Sequence, residues 1–135
     1  MVKKILFICK YNRFRSKIAE YFFNKYNKNP RYVAKSAGII RGAPVDLKEK
    51  KMCRKYDIIL KDPTQGLSTN LLKWQDTTII VANDVPASIF KDNKRNGKEL
   101  IVWKIPDTKS DNEARIKKII EMIRNKITRY VGRLK

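Results

Sequence analysis

Cys9-Lys10-Tyr11-Asn12-Arg13-Phe14-Arg15-Ser16 is the stretch on which the reading of this chain turns. The apolar run Ile5-Leu6-Phe7-Ile8 precedes it, and Ile18-Ala19-Glu20-Tyr21-Phe22-Phe23, with helical character, follows it. A cysteine thus closes an expected strand, an arginine follows in C-x5-R spacing, and a helix begins. Ligands of open α/β sheets bind at the carboxyl ends of strands. A turn feeding a helix N-terminus offers backbone N–H groups and the positive end of a dipole, which suits a tetrahedral anion.

Each residue type has a role in such a loop, which spans Lys10, Tyr11, Asn12, Arg13, Phe14, Arg15 and Ser16. Amides and a helix dipole that hold phosphate would also stabilise a thiolate, making Cys9 a nucleophile. Arg15 is a fixed fork of donors that can grip two oxygens at once. Ser16 can donate its hydroxyl to the Cys9 sulfur. Asn12 tolerates the positive φ that a curl of inward N–H groups requires. The alternative is that Cys9 fills the end of a buried strand and Arg15 is one surface base among many. The strand-loop-helix setting, with Asn12 and Ser16 in place, favours the active loop.

Composition narrows the chemistry. The chain has 135 residues, 42% hydrophobic and 10% aromatic, as expected of one globular domain over residues 1–135. No apolar run reaches membrane-spanning length, and the run after Met1-Val2-Lys3-Lys4 is too short for a signal peptide. A cytoplasmic protein with no membrane association is expected. Two cysteines, Cys9 and Cys53, make no disulfide framework, and without histidine neither a metal site nor Ser-His or Cys-His catalysis is expected. Acid–base work must fall to carboxylates, lysine or tyrosine. With 32 basic and 13 acidic residues the net charge is +19. That attracts anions in general, nucleic acid included, or reflects the host cytoplasm.

Along the chain, Val2–Ile8 reads as a strand and the helix after Arg15 runs to about Lys25. Tyr32–Gly38 is a second strand. Asp46–Tyr56 is a helix capped by Asp46, carrying Cys53 as an inert core cysteine. Ile58–Gly66 is an apolar-anchored loop, Thr69–Trp74 a short helix and Thr78–Ala82 a buried strand. Asp84, in the segment Asn83–Pro86 beyond it, could line a pocket mouth, but a turn role is the better reading. Lys91–Lys98 is a basic surface turn and Leu100–Trp103 a fourth strand. Ser110-Asp111-Asn112-Glu113 has a capping-box pattern, opening a helix whose core stripe is Ile116, Ile119, Ile120, Ile123, Ile127 and Val131.

The loop resembles that of the low-molecular-weight protein tyrosine phosphatases, which share their fold with the thioredoxin-coupled arsenate reductases. Cys9, Asn12, Arg15 and Ser16 match the family pattern C-x-G-N-x-C-R-S. Tyr11 replaces its glycine, and Phe14 replaces the second cysteine with which relatives can protect the nucleophile. The resemblance implies an α/β fold in three layers, a four-stranded parallel sheet with helices on both faces. It also implies that Ser36, in Ser36-Ala37-Gly38, holds Asn12, although a plain strand-end serine fits as well. Asp107 occupies the place of the family's general acid, though Thr108 stands where the family has proline; a polar loop role is the alternative.

The implied reaction is hydrolysis of phosphate monoesters, phosphotyrosine foremost, through a phosphocysteine and without cofactor or metal. Expected partners are a phosphorylated protein or a small aryl phosphate, with inorganic phosphate or sulfate in the loop and a monomeric chain. An arsenate reductase would need two further cysteines, and only Cys53 is available. A non-catalytic phosphate or nucleic-acid binder is the reading from another class. Steep salt dependence of binding without turnover would mark it.

Overall fold

The computed structural model describes residues 1–108 and 112–134. Its elements are β1 (Lys3–Cys9), α1 (Arg15–Tyr26), β2 (Tyr32–Gly38), α2 (Leu47–Arg54), α3 (Thr69–Trp74), β3 (Thr77–Val81), a 3₁₀ turn (Ala87–Phe90), β4 (Glu99–Trp103) and α4 (Glu113–Arg133). The four strands form one parallel sheet in the order β2-β1-β3-β4. The three-layer α/β architecture expected from the sequence is the one observed.

Alternation along the strands builds two apolar layers, because successive side chains point to opposite faces. Ile5 and Phe7 of β1, Ile79 and Val81 of β3, and Trp103 of β4 pack with α1, α2 and α4. Leu6, Ile8 and Ile80 face the other way, onto Leu71 of α3 and Phe90 of the 3₁₀ turn. A sheet covered on both faces needs near-continuous apolar strands, and β3, Thr77–Val81, is buried throughout. On α4 the residues Ile116, Ile119, Ile120, Ile123 and Ile127 are buried, leaving the charged face to solvent. Each such isoleucine contributes about 1.5–3 kcal/mol by leaving water.

This strand order positions the site. From β1 the chain moves outward to β2, then returns past β1 to reach β3. Loops leaving β1 and β3 therefore diverge, opening a crevice at their carboxyl ends. Cys9 closes β1, and Asn83-Asp84 follows β3.

Several boundaries differ from expectation. β1 includes Cys9 and starts at Lys3 rather than Val2. α2 begins after Asp46, whose carboxylate accepts from the Lys48 amide, and it stops at Arg54 instead of Tyr56. The stop follows from Asp57, which takes φ +61° and turns the chain. α4 starts at Glu113 with Asn112 as cap, its side chain accepting from the Arg115 amide. Ser110 and Asp111 of the expected capping box lie outside the described residues. The basic turn is tied down by Asn93, which is buried against Gln75. The peptide bond Asp62–Pro63 is cis. Among the described residues, no helix is long and apolar enough to cross a membrane.

Two consequences are measurable. Ile123 is fully buried between α4 and the sheet, so Ile123→Ala should cost about 2–5 kcal/mol in urea unfolding, with the denaturant slope unchanged. Burial, and less so Glu49, pushes the Cys53 thiol up to about 12. Iodoacetamide at pH 8 should therefore label Cys53 only after the protein has been unfolded.

Candidate active site

The loop from Cys9 to Ser16 joins β1 to α1 in the crevice. Helices α2, α3 and α4 each carry a side-chain cap, from Asp46, Ser68 and Asn112. Helix α1 has none: Phe14 stands at its cap position without a side-chain hydrogen bond, and its first turn holds no acidic residue. The first amides of an uncapped helix retain their donors. Together with the dipole, they make the start of α1 an anion-binding end.

A chain of hydrogen bonds runs beneath the loop, and its direction can be derived. The Ser36 hydroxyl donates to Glu20 Oε1 at 2.6 Å. With its hydrogen committed, the Ser36 oxygen accepts one Asn12 Nδ2–H at 3.0 Å. The other Asn12 Nδ2–H goes to the Ser16 oxygen at 2.8 Å. Ser16 is left with its own hydrogen, and Cys9 Sγ lies 3.0 Å away. That hydrogen is available to the sulfur, and with Cys9 as a thiolate, which can only accept, Ser16 is the donor. Asn12 Oδ1 accepts from the Gln65 amide at 2.9 Å, completing three bonds to one side chain. These bonds hold Asn12 at φ +57°.

The segment after β2 wraps the loop's outer side. The Ile39, Ile40 and Gly42 amides donate to the carbonyls of Cys9, Lys10 and Tyr11, extending the parallel pairing into the loop. Close approach here requires glycine: a Cβ on Gly38 would lie 2.6 Å from the Tyr11 carbonyl carbon, and one on Gly42 would lie 2.7 Å from the Tyr11 oxygen. Gly38 and Gly42 therefore belong to the support of the site.

Arg15 is buried and reaches across to β3 and β4. Its Nη1 donates to the Ile105 carbonyl at 3.0 Å, and Nη2 donates to Asp84 Oδ1 at 3.0 Å and Oδ2 at 3.3 Å. A guanidinium carries five N–H groups, so these bonds leave donors for an anion. Asp107 Oδ2 lies 3.9 Å from the same Nη2, while its Oδ1 accepts from the Thr108 amide. Two carboxylates, from the loops after β3 and β4, thus flank one arginine. Glu49 of α2 faces this region. Burial raises its proton affinity, Arg13 opposes that, and Asp46 and Asp107 reinforce it.

Among the residues expected from sequence, Cys9, Asn12, Arg15, Ser16, Ser36 and Asp107 are brought together. Lys10 and Tyr11 lie on the rim, with the Lys10 ammonium 5.3 Å from the centre of the half-exposed Tyr11 ring. Arg13 turns aside to the Pro44 carbonyl. Phe14 stays within the loop backbone while its side chain packs into the core. Asp84, expected as a turn residue, is corrected to an Arg15 partner. Its signal was the strand order, which places the β3 loop beside the β1 loop. Glu20 and Gln65 were also missed; Glu20 is one helical turn beyond Ser16, on the side facing Ser36. Among the described residues no cluster of three or more His, Cys, Asp or Glu is placed to hold a metal ion.

None of the curated proteins matches this chain at a significant level. Several solved structures share its fold. A low molecular weight protein tyrosine phosphatase from T. tengcongensis superposes with a TM-score of 0.81 at 23% identity, over 98% of this chain and 99% of that one. The YwlE arginine phosphatase from Geobacillus stearothermophilus gives 0.79 at 18% identity, over 96% and 91%. An arsenate reductase from Archaeoglobus fulgidus gives 0.72 at 21% identity, over 95% and 98%. The family described as low molecular weight phosphotyrosine protein phosphatase matches residues 4–135. By that match over nearly its whole length, the chain belongs to the low molecular weight phosphotyrosine protein phosphatase family.

Proposed function

We propose that the protein is a cysteine-dependent phosphatase that hydrolyses phosphate monoesters, phosphotyrosine in particular, through a phosphocysteine intermediate. The observation that carries this reading is the oriented Ser16 hydroxyl, 3.0 Å from Cys9 Sγ at the mouth of an uncapped helix. Cys9 attacks phosphorus, forming the S–P bond as the ester P–O bond breaks. The α1 amides and the free N–H groups of Arg15 stabilise the equatorial oxygens, where positioning and charge supply most of the rate in phosphoryl transfer. Asp107 gives its proton to the departing oxygen, then takes one from the water that cleaves the S–P bond. Ser16 stabilises the leaving sulfur in that second step.

Reductase chemistry is disfavoured by the second thiol. Cys53 is buried on α2, with its proton held up to about 12. It is a poor resolving group for a disulfide relay.

The first test is hydrolysis of p-nitrophenyl phosphate, a phosphotyrosyl peptide and a phosphoarginyl peptide, since one structural relative is an arginine phosphatase. Turnover should be highest on the phenyl esters and abolished in Cys9→Ser. Asp107→Asn should lower kcat by roughly 10²–10⁴-fold and flatten the basic limb of the pH profile. A wild-type profile that is level between about pH 5 and 8 in the chemical step would remove Asp107 from its role.

Asp84 gives a separate expectation. Asp84→Asn frees Arg15 from its carboxylate while retaining the side-chain shape. It should lower kcat/KM by roughly ten- to a hundred-fold through misplacement of the guanidinium, and weaken inhibition by inorganic phosphate in parallel. Unchanged phosphate inhibition would show that the ion pair does not orient Arg15.

A further inference from the structure

Behind the loop lies a cavity of about 770 Å³ that the mechanism above does not use. One wall is the reverse side of the loop support, Asn12 and Ser36. Tyr21, Ile59 and Pro63 give it an apolar surface, and Ile59 is 49% exposed there. Together with the polar wall these side chains form a concave, partly apolar lining of the kind that small ligands occupy.

The charge of the cavity centres on Lys17. This side chain is half-buried, and loss of solvent lowers its proton affinity despite the nearby Glu20, Asp62 and Cys9. Among the described residues its hydrogen-bond partner is the Pro63 carbonyl, at 3.1 Å. The two carboxylates in the cavity act on Lys17 through space while their hydrogen bonds go to other groups. Glu20 accepts from Ser36, and Asp62 accepts from Lys50 Nζ at 2.6 Å and from the Val45 amide at 2.8 Å. An ammonium has three donors, so Lys17 keeps capacity for an incoming anion. Lys61 stands exposed on the same lining.

We propose that this cavity is a second ligand site, for a small phosphorylated molecule with a flat apolar body, the chemistry of a nucleoside monophosphate. The flat body lies on Tyr21, Ile59 and Pro63, and the phosphate meets Lys17 and Lys61. Lys17 directly follows Ser16 in the chain, so the cavity lies against the support of the loop without entering it.

The test uses the ¹⁵N-labelled full chain carrying Cys9→Ser, so that the probe is not consumed. AMP should move the amide signals of Tyr21, Asn24, Ile59 and Lys61 saturably. Lys61→Glu should weaken this binding by about tenfold, as expected for losing one charge-assisted contact. Lys61→Gln should weaken it in the same direction, and a dispersed spectrum confirms that each variant is folded. In otherwise wild-type protein, Lys61→Glu should leave hydrolysis of p-nitrophenyl phosphate unchanged, as expected for a site separate from the catalytic loop. The proposal is overturned if AMP moves only the amides of residues 10–16, or if both Lys61 variants bind AMP as before. It is also overturned if inorganic phosphate alone saturates the same signals as tightly as AMP. The binding measurement does not depend on turnover, so failure of the phosphatase reading leaves its own separate mark.

Discussion

One hydrogen bond organises the site: the Ser16 hydroxyl donates to the Cys9 thiolate, which can only accept. A relay of neighbouring groups leaves the Ser16 hydrogen available for it. The relay starts at Glu20, an acceptor that claims the Ser36 hydrogen and so makes Ser36 an acceptor for Asn12. The carboxamide has two N–H groups on one nitrogen, and the second makes Ser16 an acceptor in turn. Polarity is relayed from helix α1 through β2 into the loop and back to β1. The left-handed backbone at Asn12, a conformation that asparagine adopts more readily than most residues, is the geometry that lets one amide group bridge both serines.

The second requirement is a pre-placed arginine. Arg15 begins α1 and so has a fixed Cα, but its long side chain would have many rotamers in water. Asp84 and the Ile105 carbonyl restrict it from the far side of the crevice. This arrangement depends on β1 and β3 being neighbours, which is a property of strand order alone. The parallel sheet and the chemistry are therefore one design problem: moving β3 to the outer edge would leave Arg15 without its guides.

What could be read in the sequence follows the range of the forces involved. Cys9, Asn12, Arg15 and Ser16 lie within one turn-forming stretch, where residue type reports backbone need directly. The isoleucine spacing of α4 reports burial just as directly. Asp84 and Glu20 were not legible because their partners are distant in sequence, 69 and 16 positions away. A lone acid in a turn looks alike with or without such a partner. The helix boundary at Arg54 was missed because Asp57 in a left-handed conformation leaves no unambiguous mark, aspartate being merely tolerant of it.

Acidic groups are outnumbered in this chain, and four of the thirteen, Glu20, Asp62, Asp84 and Asp107, serve the loop or its surroundings. The outer face of α4 and the turn after the 3₁₀ segment are left mainly to lysine and arginine. A net charge of +19 on so small a body repels itself. Dissolved ions screen that repulsion over roughly 8–10 Å at physiological strength. Salt therefore acts here in a second way besides masking ion pairs: the surrounding electrolyte supplies countercharge to the crowded lysines and arginines and relieves their mutual repulsion.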